Sequence, residues 1–143
     1  ADAVKPLKEM GRTITRTVLG DPVGKPRQTR CDKWKQRPCV VRYRAWADRA
    51  RAAFTGVRLF GVGVVTVRAW LPIPKSWSTG KAIDHCGKPH RQKPDVDNLC
   101  KAVLDSLFHD DSGVYEIHAS KFWNDGDGPR TEITVEANGR GWK

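Results

Sequence analysis

The stretch Lys93-Pro94-Asp95-Val96-Asp97-Asn98-Leu99-Cys100-Lys101-Ala102-Val103-Leu104-Asp105-Ser106-Leu107-Phe108-His109-Asp110-Asp111 decides how the rest of the chain is read. Pro94 disfavours helix before it, and Asp95 or Asp97 can cap a helix that follows. Over Asp97–Phe108 the apolar residues recur with a helical period. At about 100° per residue, Leu99, Cys100, Val103, Leu104 and Leu107 fall on one side. Asp97, Lys101 and Asp105, spaced i, i+4, i+8, fall on the other. The helix should pack its apolar side on a sheet and hold its charges outward. Asp110-Asp111-Ser112-Gly113 reads as the turn that ends it.

Working outward, Val114–Trp123 alternates as a strand, Gly126–Pro129 is a turn, and Thr131–Ala137 is a last strand. On the other side, Pro74–Lys93 is poor in apolar residues and reads as a long, mobile loop. The Val-rich run Phe60–Ile73, bounded by glycine and proline, reads as a long central strand. Val40–Phe54 has helical spacing, and Thr13–Leu19 alternates as a strand. Residues 1–12 read as a flexible arm and residues 13–143 as a single domain, a size that suits one core. The order of elements gives a two-layer α+β fold, a mixed β-sheet with helices on one face. Trp46, Trp70 and Trp123 are expected to pack the core or a dimer contact.

Charge is unevenly placed. The net charge is +10, yet residues 95–143 carry 5 Lys/Arg against 10 Asp/Glu. The basic excess lies wholly before Asp95. Such a surface favours a polyanion, because each neutralised phosphate releases counterions. Carboxylates would repel that polyanion unless a cation lay between them, which points to a phosphate substrate with a divalent metal. The loop Gly20–Arg37 holds Lys25, Arg27, Arg30, Lys33 and Lys35, with Trp34 among them. These are candidate nucleic-acid contacts, together with Lys93 and Lys121. Trp34 and Trp77 sit in loops where they could stack on bases.

No run is long and apolar enough to span a bilayer. Residues 1–10 contain no apolar signal-like segment, so a cytoplasmic location is expected. The four cysteines, Cys31, Cys39, Cys86 and Cys100, form no tight pair and read as reduced thiols. His85-Cys86 with His90 is the best remaining transition-metal pair, but its spacing fits no common zinc pattern.

Two carboxylates spaced by one residue suggest where the metal sits. In the extended stretch before the helix, residues two apart point the same way, so Asp95 and Asp97 are expected to converge on one ion. Asp97 shares the helix face of Lys101. Asp111 needs the fold to bring it back. Three carboxylates in a largely water-coordinated site suit Mg2+. A bound cation would screen a phosphodiester and activate water, and a lysine would stabilise developing charge. His109, beside the acidic turn, is a further candidate base.

The run Lys93–Leu99, with Lys101-Ala102-Val103-Leu104-Asp105-Ser106-Leu107 and then Asp110-Asp111, resembles the signature of RusA-type Holliday junction resolvases. Gly20-Asp21-Pro22-Val23-Gly24-Lys25-Pro26-Arg27 is similar to that family's early basic loop. Lys121 and Pro129-Arg130-Thr131-Glu132-Ile133 resemble its closing strands. The resemblance covers roughly residues 14–137. It implies a homodimer that binds four-way DNA junctions and makes paired nicks with Mg2+, in a bacterial or phage setting. By motif it implies Asp95, Asp97 and Asp111 as catalytic metal ligands and Lys101 as the essential lysine. The Phe108-His109 link to Asp110 is shorter than the family's, and the 74–93 segment is longer. Three other readings stand beside it: a basic nucleic-acid-binding domain without catalysis, a structure-selective nuclease of branched DNA without strict junction specificity, and a nuclease of the PD-(D/E)-x-K type, for which Glu116 and Lys121 are spaced wrongly.

Overall fold

The computed structural model describes residues 12–27 and 37–137. Arg30, Lys33, Trp34 and Lys35, Cys31, and the arm expected over residues 1–12 (Arg12 apart) lie outside the described residues. The elements are β1 (Arg12–Leu19), α1 (Pro38–Ala53), β2 (Val62–Leu71), α2 (Thr79–His85), α3 (Val96–Leu107), β3 (Glu116–Trp123) and β4 (Arg130–Ala137). The strands form one mixed sheet in the order β1-β4-β2-β3. Only β2 and β3 run parallel. A parallel pair needs a crossover, and the chain through α2 and α3 supplies it. The architecture is the expected α+β one.

The strand period of two sorts the sheet into a dry and a wet face. Val65, Val67, Ala69 and Leu71 of β2 are buried, and their β4 partners Val135, Ile133 and Thr131 are buried with them. Val18 extends this layer through β1. On that face lie α1, contributing Val40, Tyr43, Trp46, Ala47 and Ala50, and α3, contributing Leu99, Ala102, Val103 and Ser106. The buried arc of α3 is rotated from the one its hydrophobicity suggests. Cys100, Leu104 and Leu107 are only partly buried, and Ala102 and Ser106 go inside. The reason is a second neighbour: α1 packs against α3, and small side chains let two helices approach. Ser106 tolerates burial because its hydroxyl donates to the Val103 carbonyl at 2.9 Å.

Gly63 is required by packing. A Cβ there would lie 2.3 Å from the Tyr115 ring, and Tyr115 N–H donates to Gly63 O at 2.8 Å. This contact joins the start of β3 to β2 beside the register shift at Val62/Val64.

The segment 74–93 corrects the expectation of a loose loop. Ser78 caps α2 by accepting from Lys81 N at 3.2 Å. The Trp77 ring lies 4.7 Å from both His85 and Trp123, and His90 lies 4.1 Å from Trp123. Backbone bonds from Trp123 N to Lys88 O and from His90 N to Lys121 O add a short rung outside the end of β3. The apolar content is low, but a few aromatic rings replace a hydrophobic stripe. Trp77 is thus occupied within the fold. Trp46 and Trp123 are buried as expected, whereas Trp70 lies on the wet face, stacked on Phe122 with Arg130 above it.

Candidate active site

Asp95 is the N-cap of α3, with extended backbone at φ −70°, ψ 149°. Its carbonyl accepts from Asn98 N and Leu99 N, but its carboxylate caps nothing. That carboxylate is therefore available, and Lys93 Nζ sits 3.0 Å from it. The helix starts at Val96, so Asp97 is already inside the first turn. The extended-chain alternation expected for Asp95 and Asp97 does not operate. They are neighbours as cap and first-turn residue instead, where a helix favours negative charge. Asp97 and Lys101 are both exposed and one turn apart on α3. Burial first, and then the Asp97 charge, push the Cys100 thiol pKa up, which places Asp97 electrostatically beside it.

Two surrounding pieces hold this helix start. Lys121 points from β3 into the helix-bearing face, since its register partner Ala69 is buried there. Its ammonium donates to Pro94 O at 2.8 Å and also to Gln92 O. The early glycine-proline loop lies on the other side. Lys25 N donates to Asn98 O at 3.1 Å, and a Cβ on Gly24 would meet Pro94 Cβ at 3.2 Å and Asn98 Cβ at 3.3 Å. Lys25 Nζ closes on Asp105 at 2.6 Å and lies 5.1 Å from the Tyr43 ring centroid. Partial burial would lower its pKa, but the Asp105 hydrogen bond and nearby negative charge outweigh this and hold it above the ordinary value. Arg27 is exposed, and its carbonyl accepts from Arg37 at 2.6 Å. The sequence missed Gly24, Asn98 and His90 as parts of this region. For Gly24 a signal existed, a glycine set between prolines before a basic run.

The acidic turn lies elsewhere. Asp110 and Asp111 follow the C-terminal end of α3, and a 12-residue helix is about 18 Å long. Both are exposed, beside His109 and Ser112. Ser112 N–H donates to Asp110, which lowers that carboxyl's pKa. Among the described residues, no three His, Cys, Asp or Glu side chains gather as a metal group. Asp95, Asp97 and Asp111 do not form such a group among the described residues. Nor do His85, Cys86 and His90: His85 Nδ1 lies 2.7 Å from Lys81 O, and His90 packs on Trp123.

The family model for Endodeoxyribonuclease RusA matches residues 20–136, most of this 143-residue chain. The chain belongs to the RusA endodeoxyribonuclease family. The matched span takes in the glycine-proline loop, the whole of α3, the acidic turn and β4, so the resemblance seen in the motif extends across the fold. A Bacillus subtilis (strain 168) protein named Uncharacterized protein YqaN is 36% identical over 77 residues, covering 48% of this chain. The match spans 53%, about half, of that protein's own length. No helix among the described residues is long and apolar enough to cross a membrane.

Proposed function

We propose that this RusA-family chain is a Mg2+-dependent endonuclease that resolves four-way DNA junctions as a homodimer, with Asp95, Asp97 and Asp111 as metal ligands and Lys101 beside the phosphate. The observation that carries this is the accessible Asp95 carboxylate, which caps no helix N–H, next to Asp97 and Lys101 and set among Lys93 and Lys121. When bound, a divalent ion supplies charge screening and an acidified water. The chain's own part is orientation. Lys121 fixes Gln92 and Pro94, which sets where Asp95 projects. Lys101 lies one turn from Asp97 and offers a positive charge to a phosphate oxygen.

A dimer through β3 accounts for the separation of Asp111. β3 is an outer strand, and among the described residues its side away from β2 is covered only near Phe122. Ile117 is 40% and Tyr115 is 69% exposed along it. An exposed apolar edge is a template for strand pairing. Two-fold antiparallel pairing sets the start of one β3 by the end of the other. The acidic start, with Asp111 and Glu116, would then face the basic end, with Lys121 and Lys93. Asp111 would thereby join the other protomer's Asp95 and Asp97. Paired sites also suit a substrate with two equivalent strands to cut.

The test is cleavage of a synthetic four-way junction with Mg2+, mapped on each strand. Wild type should nick two opposed strands at related positions. Asp97→Asn should lose at least about 100-fold in rate, the scale of a lost charge-stabilising group, while still binding. Binding without cleavage by wild type, under varied metal and salt, would instead support the non-catalytic DNA-binding reading.

A further inference from the structure

Beside Asp95 lies a cleft of about 530 Å³ that the chemistry above does not use. It runs between the Asp21–Pro26 loop, the Leu71–Pro74 exit of β2 and the His90–Pro94 segment. Its volume falls within the about 300–1,000 Å³ of small-molecule sites. Prolines give it flat apolar walls, while His90, Asn98 and Gln92 and the charged Asp21, Lys25, Arg42 and Lys93 bring polar groups to its surface.

His90 is the informative member. Its side chain is 94% removed from solvent, counting the 6% exposure left to it. The ring packs on Trp123, and Nδ1 accepts from Gln92 N–H at 3.4 Å. Among the described residues Nε2 has no hydrogen-bond partner, and His90 lines the cleft. With Nδ1 as acceptor, the ring proton belongs on Nε2. Burial, and then Lys121, lower the ring's pKa, which favours its neutral form. A nearly buried ring thus presents one neutral donor to a flat-walled cleft. Such a donor suits an uncharged acceptor held between the prolines, while the lining cations Lys25, Arg42 and Lys93 suit a neighbouring phosphate.

We propose that this cleft receives one unstacked DNA base next to the scissile phosphate, with His90 Nε2–H donating to an acceptor on the base edge. The proposal rests on the junction-nuclease reading above. A branch point is where such a base comes at least cost, because unstacking is easiest where pairing is already interrupted. The base would enter between the prolines while its phosphate stays outside, near Arg42 and Lys93 at the rim. The subsite would set sequence preference at one position.

Binding to the four-way junction is measured by fluorescence anisotropy in EDTA, with an abasic site placed in turn at each nucleotide flanking the mapped cut. One position should weaken wild-type binding about tenfold, the scale of one lost base contact. For His90→Phe, and for Pro72→Trp, which plugs the exposed rim, the abasic and intact junctions should bind alike, within about twofold. Both variants should keep wild-type circular dichroism. If His90→Phe disturbs the fold, the plugged Pro72→Trp variant still decides. An abasic penalty as large in the plugged variant as in wild type, or no sensitive position at all, overturns the proposal. Wild type that neither prefers nor cuts the junction overturns the junction-nuclease reading, and this inference with it.

Discussion

A lysine in a basic glycine-proline loop reads as a phosphate contact, yet Lys25 closes on Asp105 at 2.6 Å. The charge is the same in both readings; what differs is that α3 places a carboxylate within reach. Its work within one chain is to tie the loop to the helix. Asp125 shows a second charge fixed by its neighbour. Arg130 donates to both its oxygens, at 2.9 and 3.1 Å, and this hydrogen bonding above all lowers its pKa to about 2. Its folded pKa is below its unfolded one, so its contribution to stability is present above about pH 4. It is lost as pH falls toward about 2. In Asp125→Asn, the acid limb of a thermal-melt profile should flatten over that window and change little near pH 7. An unchanged acid limb would show that the pair adds nothing measurable, as many exposed pairs do.

At the scale of elements, α3 links the core to the candidate site. Leu99 is 3% exposed, two residues from Asp97. Leu99→Ala should cost about 2–5 kcal/mol in urea unfolding, the range for truncating a buried leucine. Because the cavity opens under the first turn, cleavage should fall further than the unfolded fraction explains. The start of β3 depends on Gly63 in the same way. Gly63→Ala should cost about 1–3 kcal/mol by forcing the Tyr115 ring aside. If its stability and Tyr115 quenching both match wild type, the ring yields without cost and the glycine is not required there. α2 makes the complementary point: a seven-residue helix with no buried residue of its own is held by its flanking Trp77 and by His85 against Trp123.

For the whole molecule, the proposed β3 dimer draws on both charge and exposed apolar surface. The acidic turn and the basic helix start lie at opposite ends of the α3–β3 pair, and the edge between them carries Ile117. Ile117→Lys puts a charge on that edge, a common device against strand pairing. The variant should sediment as a monomer, keep wild-type circular dichroism and lose junction cleavage. A monomer with full activity would place all the catalytic groups in one chain and remove the β3 dimer from the mechanism.

Local pattern alone determined the elements other than α2. Asp95–Asp111 announces an amphipathic helix with a charged outer face, and period-two alternation marks the strands, because both signals are written in neighbouring residues. The same local spacing makes Asp97 and Lys101 a pair. Tertiary structure decided the rest, because it depends on contacts between distant residues. It turned the buried arc of α3 toward Ala102 by setting α1 against it. It folded the 74–93 segment onto Trp123 through rings rather than through an apolar stripe. It took Lys25 and Lys121 into the scaffold by bringing them to Asp105 and to the Gln92 and Pro94 carbonyls. It also set Asp111 a helix length from Asp95, a separation fixed by the rise of α3 and by the short Phe108-His109 link that follows it.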